Sequence, residues 1–284
     1  MQIIHTVKQL RLALQGQSPI AFVPTMGNLH AGHLDLVKLA KQQAACVVVS
    51  IFVNPLQFGA NEDLASYPRT LAADCEKLAA AGASIVFAPT VAEMYPDFDG
   101  QNLNQSLTVQ LPAMANDLCG ATRPGHFAGV ATVVLKLFNI VQPQVAVFGK
   151  KDFQQLLIIK ELVKQFNLPI QIIAADTARE ASGLAMSSRN GYLSSAEKVQ
   201  ANQLHATLQT LVEQIKLGPK DLDFSALEKQ AAHTLQTQGW QVDYVAIRSA
   251  TSLKAASAQE QEWVVLAAAK LGATRLIDNI SFKL

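Results

Sequence analysis

Apolar and polar positions alternate along the chain with two different periods. Ile20, Ala21, Phe22 and Val23 form a continuous apolar run suited to a buried parallel strand, and Leu34, Leu36, Val37, Leu39 and Ala40 then recur like one face of a helix. Ala45 to Val53 (ACVVVSIFV) is β-branched and almost wholly apolar, which predicts a second buried strand. Shorter runs at Ile85 to Ala88, Val145 to Phe148 and Ile170 to Ala174 predict three more. Helical spacing lies between them: Thr6 to Leu14 with Thr6 as N-cap, Asp63 to Ala81 with Tyr67-Pro68-Arg69-Thr70 breaking its start, and Gly129 to Val141. Strand and helix alternating in this way predict an α/β fold, a Rossmann-like parallel sheet with helices on its faces. Ser106 to Leu111 (SLTVQL) reads as a short strand inside an otherwise loop-rich stretch from Tyr95 to Asn116.

The pattern changes after about residue 176. A long helix from a Ser194 or Ser195 N-cap to Leu217, a break at Gly218-Pro219, a helix from Phe224 to Gln238 and strands near Val242 to Ile247, Trp263 to Ala268 and Arg275 to Ile280 predict a smaller α+β domain. The expected division is residues 1–176 and 177–284, with Ala255 to Gln261 as an exposed turn.

The chemistry gathers where strands hand over to helices. Pro24 to Leu34 (PTMGNLHAGHL) links a strand to a helix whose first turn carries unpaired N–H groups and a positive dipole end, a ready anion site. His30 and His33 are three apart, so a helical turn puts both rings on one face, and Gly32 between them leaves room for a ligand. Gly149-Lys150-Lys151-Asp152 repeats the design after another strand, and Gln155 sits one turn further on. Gln57, at the tip of Asn54 to Gly59, offers an amide that can donate and accept, suited to a substrate with hydroxyls and a carboxylate. Met186-Ser187-Ser188-Arg189 combines two hydroxyls with an arginine able to hold phosphates by bidentate bonds. Cys119 to Phe127 places Arg123 and His126 among small residues, as in a mobile lid. Asp74 reads as a solvated helix acid, with a water-mediated metal contact the less favoured alternative. His5, His205 and His233 read as caps or surface residues.

Composition narrows the classes. Twenty-three Lys and Arg against 22 Asp and Glu leave a net charge of +1 over 284 residues, without the basic footprint of a nucleic-acid binder. Cys46, Cys75 and Cys119 have no CxxC spacing, which argues against a disulfide framework or a zinc site and fits a reducing, cytoplasmic setting. No apolar run approaches the roughly 18 residues of a membrane span.

PTMGNLHAGHL, VNPLQFG, YPRT, TRPGHFAGVATVVLKLFNIVQP, FGKKDFQQL and AMSSRNGYL together resemble the pantoate–β-alanine ligase family, within the wider group of nucleotidyltransferases that share HxGH. The resemblance implies a Rossmann-like domain with a small C-terminal lid domain, a homodimer, and Mg²⁺ with ATP. It implies that ATP and pantoate give a pantoyl adenylate and pyrophosphate, after which β-alanine yields pantothenate and AMP. It further implies ATP contacts from Met26, Gly27, Asn28, Leu29, His30, Ala31, Gly32 and His33, from Gly149, Lys150, Lys151 and Asp152, from Ala178, and from Met186, Ser187, Ser188 and Arg189. Gln57 and Gln155 are the implied pantoate ligands, Gln57 also neighbours β-alanine, and His30, His33, Lys151 and Arg189 are the implied catalytic set, with His33 as proton donor. No direct protein ligand to a metal is implied. Lys150, Asp176 and Ala128 depart from the family pattern, standing where an acidic residue, a proline and a charged residue are common. A synthetase acting on tRNA fits poorly with this charge and length. An enzyme that adenylylates a phosphate ester needs more cation than the two glutamines supply, and a non-catalytic nucleotide sensor differs from the ligase only in turnover.

Overall fold

A computed structural model describes residues 1–59, 62–219, 222–256 and 260–283. The expected exposed turn at Ala255 to Gln261 lies in part, at residues 257–259, outside the described residues. The chain forms two units, neither of them continuous: Met1–Pro112 with Arg123–Lys150 and Ile158–Asp176, and Ala113–Thr122 with Lys151–Leu157 and Thr177–Leu284. The segments Ala113–Thr122 and Lys151–Leu157 thus belong to the second unit, although their position in the chain suggested the first. A sequence shows where the chain changes pattern, not which core a short segment packs on.

In the first unit the elements run β1 (Gln2–Ile4), α1 (Val7–Ala13), β2 (Ile20–Thr25), α2 (Ala31–Gln43), β3 (Cys46–Ile51), α3 (Leu71–Ala81), β4 (Ile85–Phe87) and α4 (Val91–Met94). After α5 (Cys119–Thr122), which belongs to the second unit, come α6 (His126–Val141), β5 (Val145–Gly149), α7 (Phe153–Gln165), whose residues up to Leu157 belong to the second unit, and β6 (Gln171–Ala175). The six strands form one sheet in the order β1-β4-β3-β2-β5-β6, and every pair is parallel. Ala21, Val23, Val47, Val49 and Val86 from the strands pack with Val37 and Ala40 of α2 and Leu78 of α3 on one face. Of the apolar stripe expected on α6, Val133, Val134 and Leu137 are buried and Ile140 is half-buried, and Phe138 meets Phe22 and Phe148 edge to face.

The strand order fixes where a ligand can bind. From β2 the chain steps outward to β3 and β4, then returns to place β5 on the other side of β2. The switch point therefore falls between β2 and β5, and ligands of such sheets bind outside the carboxyl ends of those strands. The loop after Thr25 and the turn at Gly149 both leave from there.

Two expectations are corrected in this unit, and one strand was not predicted. The predicted helix over Asp63 to Ala81 begins only at Leu71, because Pro68 restricts the residue before it and Thr70 takes the N-cap position. Ser106 to Leu111 forms no strand; the Val109 N–H donates instead to the Thr132 hydroxyl on α6 at 3.3 Å. The three-residue β1 pairs with β4 at the sheet edge and was too short to carry a period.

The second unit contains α8 (Ser195–Leu217), α9 (Phe224–Thr237) and an antiparallel sheet of β7 (Gln241–Ser249), β8 (Glu262–Leu271) and β9 (Thr274–Lys283) in that order. Ser194 caps α8 in a capping box with Glu197. One face of the sheet, including Val265, Ala267, Leu276 and Phe282, packs on Leu204, Leu208 and Leu211 of α8. The other face packs Ala246, Val264 and Leu266 with Leu118, Phe153 and Leu157. No described helix is long and apolar enough to cross a membrane.

Candidate active site

In the first unit the loop between β2 and α2 carries Met26 to His33. Gly27 has φ +84° and Asn28 φ +51°, so the backbone makes a left-handed double step that glycine and asparagine tolerate best. A Cβ on Gly27 would stand 3.0 Å from Ile51 Cγ2 and 3.1 Å from Asp74 Oδ2, so a side chain there would press on both in addition to straining φ. The loop is held from three sides. The Gly27 N–H donates to Thr25 Oγ1 at 3.2 Å, and that hydroxyl donates to the Ser50 carbonyl of β3 at 2.7 Å. Asp74 of α3, fully buried, accepts from Asn28 N–H and Leu29 N–H, each at 2.8 Å, and from the Thr70 hydroxyl at 3.0 Å. Lys77 one turn later donates to the Leu29 carbonyl at 2.7 Å.

Asp74 is therefore not the solvated acid expected from its place in α3. Its two oxygens are occupied by backbone N–H groups, so it acts as an internal clamp on the loop, a role that 46 residues of separation hide in the sequence. Among the described residues no group of three or more His, Cys, Asp or Glu could hold a metal ion.

The clamp sets the two histidines. His30 is the N-cap of α2 and His33 its third helical residue, and their rings stack with centroids 4.0 Å apart, on one face as the spacing predicts. His33 Nδ1 accepts from the His30 backbone N–H at 3.3 Å. In the neutral ring this puts the proton on Nε2.

Gln57 is 9% exposed, in a 3₁₀ turn over Pro55–Gln57. Its Oε1 accepts from Asn54 Nδ2 at 3.1 Å, and its Nε2 lies 3.2 Å from Met26 Sδ. Asn54 is itself fixed by the Tyr95 hydroxyl at 2.5 Å and by donation to the Gly129 carbonyl at 3.3 Å. Burial pushes the Tyr95 phenol well above its usual range, so it stays a neutral donor. The turn rests directly on α6, for a Cβ on Gly129 would lie 2.6 Å from the Leu56 carbonyl carbon and 2.8 Å from Gln57 Cα.

The segment expected to be a mobile lid is anchored on both sides. Arg123 makes a two-pronged bond to Glu62 at 2.7 and 2.6 Å and lies 2.9 Å from His126 Nε2, while His126 Nδ1 meets the Gln57 carbonyl at 2.8 Å. The bond from Arg123, more than its charge, holds the Glu62 carboxyl below the usual range. Arg123 and His126 thus brace the Gln57 turn from behind.

Gly149 ends β5 and Lys150 follows it, and Lys150 Nζ pairs with Asp176 Oδ1 at 2.6 Å. The structure joins two of the departures from the family pattern: a lysine at 150 finds its counter-charge at 176. Asp176 is 90% exposed at its side chain, so the pair adds little stability.

The remaining candidates lie in the second unit. Lys151 and Asp152 complete a short 3₁₀ turn ahead of α7, and Gln155 is half-buried on its first turn. Its neighbour Gln154 is structural: 4% exposed, it donates to the Met114 and Asp117 carbonyls and accepts from Cys119 N–H. Arg179 and Ala185 bridge as an antiparallel pair, and Met186 N–H donates to the Ala178 carbonyl at 2.9 Å, so Ala178 and Met186 are brought together. Ser187 caps the following 3₁₀ turn by accepting from Arg189 N–H at 3.2 Å. Buried Asn190 donates to Glu180 and to the Ala185 carbonyl and closes the ribbon.

His205 is not the surface residue expected from its sequence. Its side chain is 15% exposed, with Nδ1 3.2 Å from Asp278 Oδ2. His5 Nδ1 lies 2.7 Å from the Ala88 carbonyl, and His233 is exposed. The three cysteines are free, with Cys46 and Cys75 buried.

Comparison with known proteins covers nearly the whole chain. The family described as pantoate-beta-alanine ligase matches residues 2–281. A pantothenate synthetase of Methylobacillus flagellatus is 61% identical over 99% of both chains, and one of Neisseria meningitidis serogroup B is 54% identical over 100% of both. The crystal structure of pantothenate synthetase from Thermus thermophilus superposes with a TM-score of 0.91 at 40% identity, covering 99% of each chain. That of the Francisella tularensis ligase, complexed with beta-gamma ATP and beta-alanine, has a TM-score of 0.77 at 33% identity and covers 99% of this chain and 97% of its own. With the family model matched from residue 2 to 281 and a relative 61% identical over 99% of both chains, the chain belongs to the pantoate–β-alanine ligase family.

Proposed function

We propose that the chain is an AMP-forming ligase that condenses (R)-pantoate with β-alanine through a pantoyl adenylate. The observation that carries the reading is the locked pair His30 and His33 at the start of α2, which follows Met26, whose sulfur meets Gln57 Nε2. Helix N–H groups, and the His33 ring set against the His30 N–H, suit a phosphate chain. Pantoate's carboxylate is already a nucleophile, so its attack on the α-phosphorus needs positioning and charge neutralisation rather than a strong base.

The roles follow residue by residue. Met26 to His33, Gly149 to Asp152, Ala178 and Met186 to Arg189 bind ATP. His30, His33, Lys151 and Arg189 offset the charge that grows on the phosphates. Gln57 and Gln155 hold pantoate, and Gln57 also adjoins β-alanine, whose amine attacks the acyl carbon and expels AMP. Asp74 is committed to backbone N–H groups, so Mg²⁺ would come with the triphosphate and would supply Lewis-acid neutralisation there. A homodimer in the cytoplasm completes the reading, and light scattering tests the dimer.

The direct assay supplies ATP and Mg²⁺ with pantoate, then adds β-alanine. Stoichiometric pyrophosphate with pantoate alone, followed by steady AMP and pantothenate, is the expected result. ATP binding without pantoate-dependent pyrophosphate would show that the substrate is a different acid.

A further inference from the structure

The second unit contains two segments assigned above to the triphosphate, Lys151 and Ser187–Arg189, and both are tied to adjacent residues of β9. Asp278 and Asn279 are 3% and 6% exposed, unusual burial for such polar side chains on a strand. Being neighbours on a strand, they project to opposite faces of the sheet. Asp278 lies opposite Ala267, which packs on the α8 face, and Asn279 opposite Leu266, which packs on the face that receives Phe153.

Each reaches one segment. Asn279 Nδ2 donates to the Lys151 carbonyl at 2.8 Å. Asp278 accepts both prongs of Arg179, at 2.7 and 2.9 Å, with His205 Nδ1 at 3.2 Å on the same carboxylate. Arg179 spends a further bond on the Gly183 carbonyl at 3.1 Å and bridges Ala185, so the hairpin leading into Met186–Arg189 is set by the Asp278 carboxylate. The Asn279 N–H, in turn, donates to Asp278 Oδ1 at 2.7 Å, coupling the two.

We infer that Asp278 and Asn279 are positioning residues for the nucleotide: one dipeptide, acting through both faces of a sheet, sets Lys151 on one side and the Ser187–Arg189 turn on the other. The inference rests on the assignment of those residues to the phosphates. It predicts a defect graded by phosphate rather than a general loss of fit, since the two residues act through Lys151 and the Ser187–Arg189 turn.

The test is calorimetric titration of the full chain with a non-hydrolysable ATP analogue and, separately, with adenosine. In Asn279→Ala the analogue weakens about tenfold, roughly what one misplaced hydrogen bond is worth, while adenosine stays within about twofold of the parent. Arg179→Lys keeps the charge but loses the fork, and it shows the same split; it carries the test by itself if Asn279→Ala does not fold. Equal weakening of both ligands, or no weakening of the analogue in a folded variant, overturns the inference. The ligase reading fails separately: a parent that binds the analogue but makes no pantothenate refutes that reading and leaves the ratio between ligands intact.

Discussion

Replacing Asp74 by asparagine is the most informative single perturbation of the first unit. The carboxylate is fully buried and gives one oxygen to Leu29 N–H and the other to Asn28 N–H and the Thr70 hydroxyl. Asparagine preserves the volume but turns an NH₂ group toward one of those N–H donors. One charge-assisted bond, worth about 1.5–3 kcal/mol, is lost, and a buried N–H is left unsatisfied at about 1–3 kcal/mol. The terms overlap, and relaxation of the loop recovers part, so the expected net destabilisation is about 2–4 kcal/mol. Relaxation also has a functional consequence. Asn28 and Leu29 precede His30 directly, and a shift of about 1 Å in a placed group costs about 10²-fold in rate. Urea midpoints and single-turnover pyrophosphate release, measured on the same preparation, give both numbers. Thr70→Val removes only the hydroxyl bond and is the control, with about 1 kcal/mol and little change in rate. If Asp74→Asn matched the parent in midpoint and stayed within about threefold in the first half-reaction, the clamp would be a contact without energetic weight, and the reasoning would fail.

Other outcomes follow from the same geometry. His33→Ala lowers pantoyl adenylate formation by about 10²- to 10³-fold, as loss of a preorganised donor does; an unchanged single-turnover rate removes His33 from the catalytic set. Gly129→Ala improves intrinsic helix propensity, yet its methyl enters the Leu56–Gln57 backbone, so a destabilisation of about 1–3 kcal/mol and a raised KM for pantoate are expected in melting curves and steady-state kinetics. A more stable protein with unchanged KM would contradict the close approach. Burial alone raises the Asp278 carboxyl, but the bonds from His205 and Arg179 outweigh it and hold the carboxyl below its usual value. Its stabilising effect is therefore present above the unfolded-state pKa of about 3.9 and is lost as the pH falls below it. In urea titrations the gap between parent and Asp278→Asn should narrow from about pH 6 toward about pH 3; a constant gap refutes this.

The strand, loop and helix from Ile20 to Gln43 were legible because burial, glycine and helical spacing act over a few residues there. The histidine pair was legible for the same reason, since three residues on a helix start determine one face. Asp74 was not: an acid in the first turn of a helix looks the same whether it faces water or a loop 46 residues away. Gly129 was equally silent, as its need for glycine comes from the Pro55–Gln57 turn and not from its own helix. Alternation in Ser106 to Leu111 marked residues that suit a strand, but a strand also needs a neighbour, and the sequence does not supply one. Arg123 and His126 looked like lid residues because their own segment is rich in small residues, while the Glu62 carboxylate and Gln57 carbonyl that hold them are distant in the chain. Lys150 and Asp176 show the reverse case, in which two separate irregularities of sequence have one explanation in space.

The acyl adenylate is the central chemical claim, and the oxygen of pantoate reports on it directly. With both carboxylate oxygens of pantoate labelled with ¹⁸O, attack on the α-phosphorus makes a labelled oxygen the bridge, and β-alanine's attack on the carbonyl carbon leaves that oxygen on AMP. Mass spectrometry of the products should find one ¹⁸O in AMP and one in pantothenate per turnover. Unlabelled AMP, with the missing label in inorganic phosphate or water, would contradict the adenylate and the assignment of the histidine-lined loop to its formation.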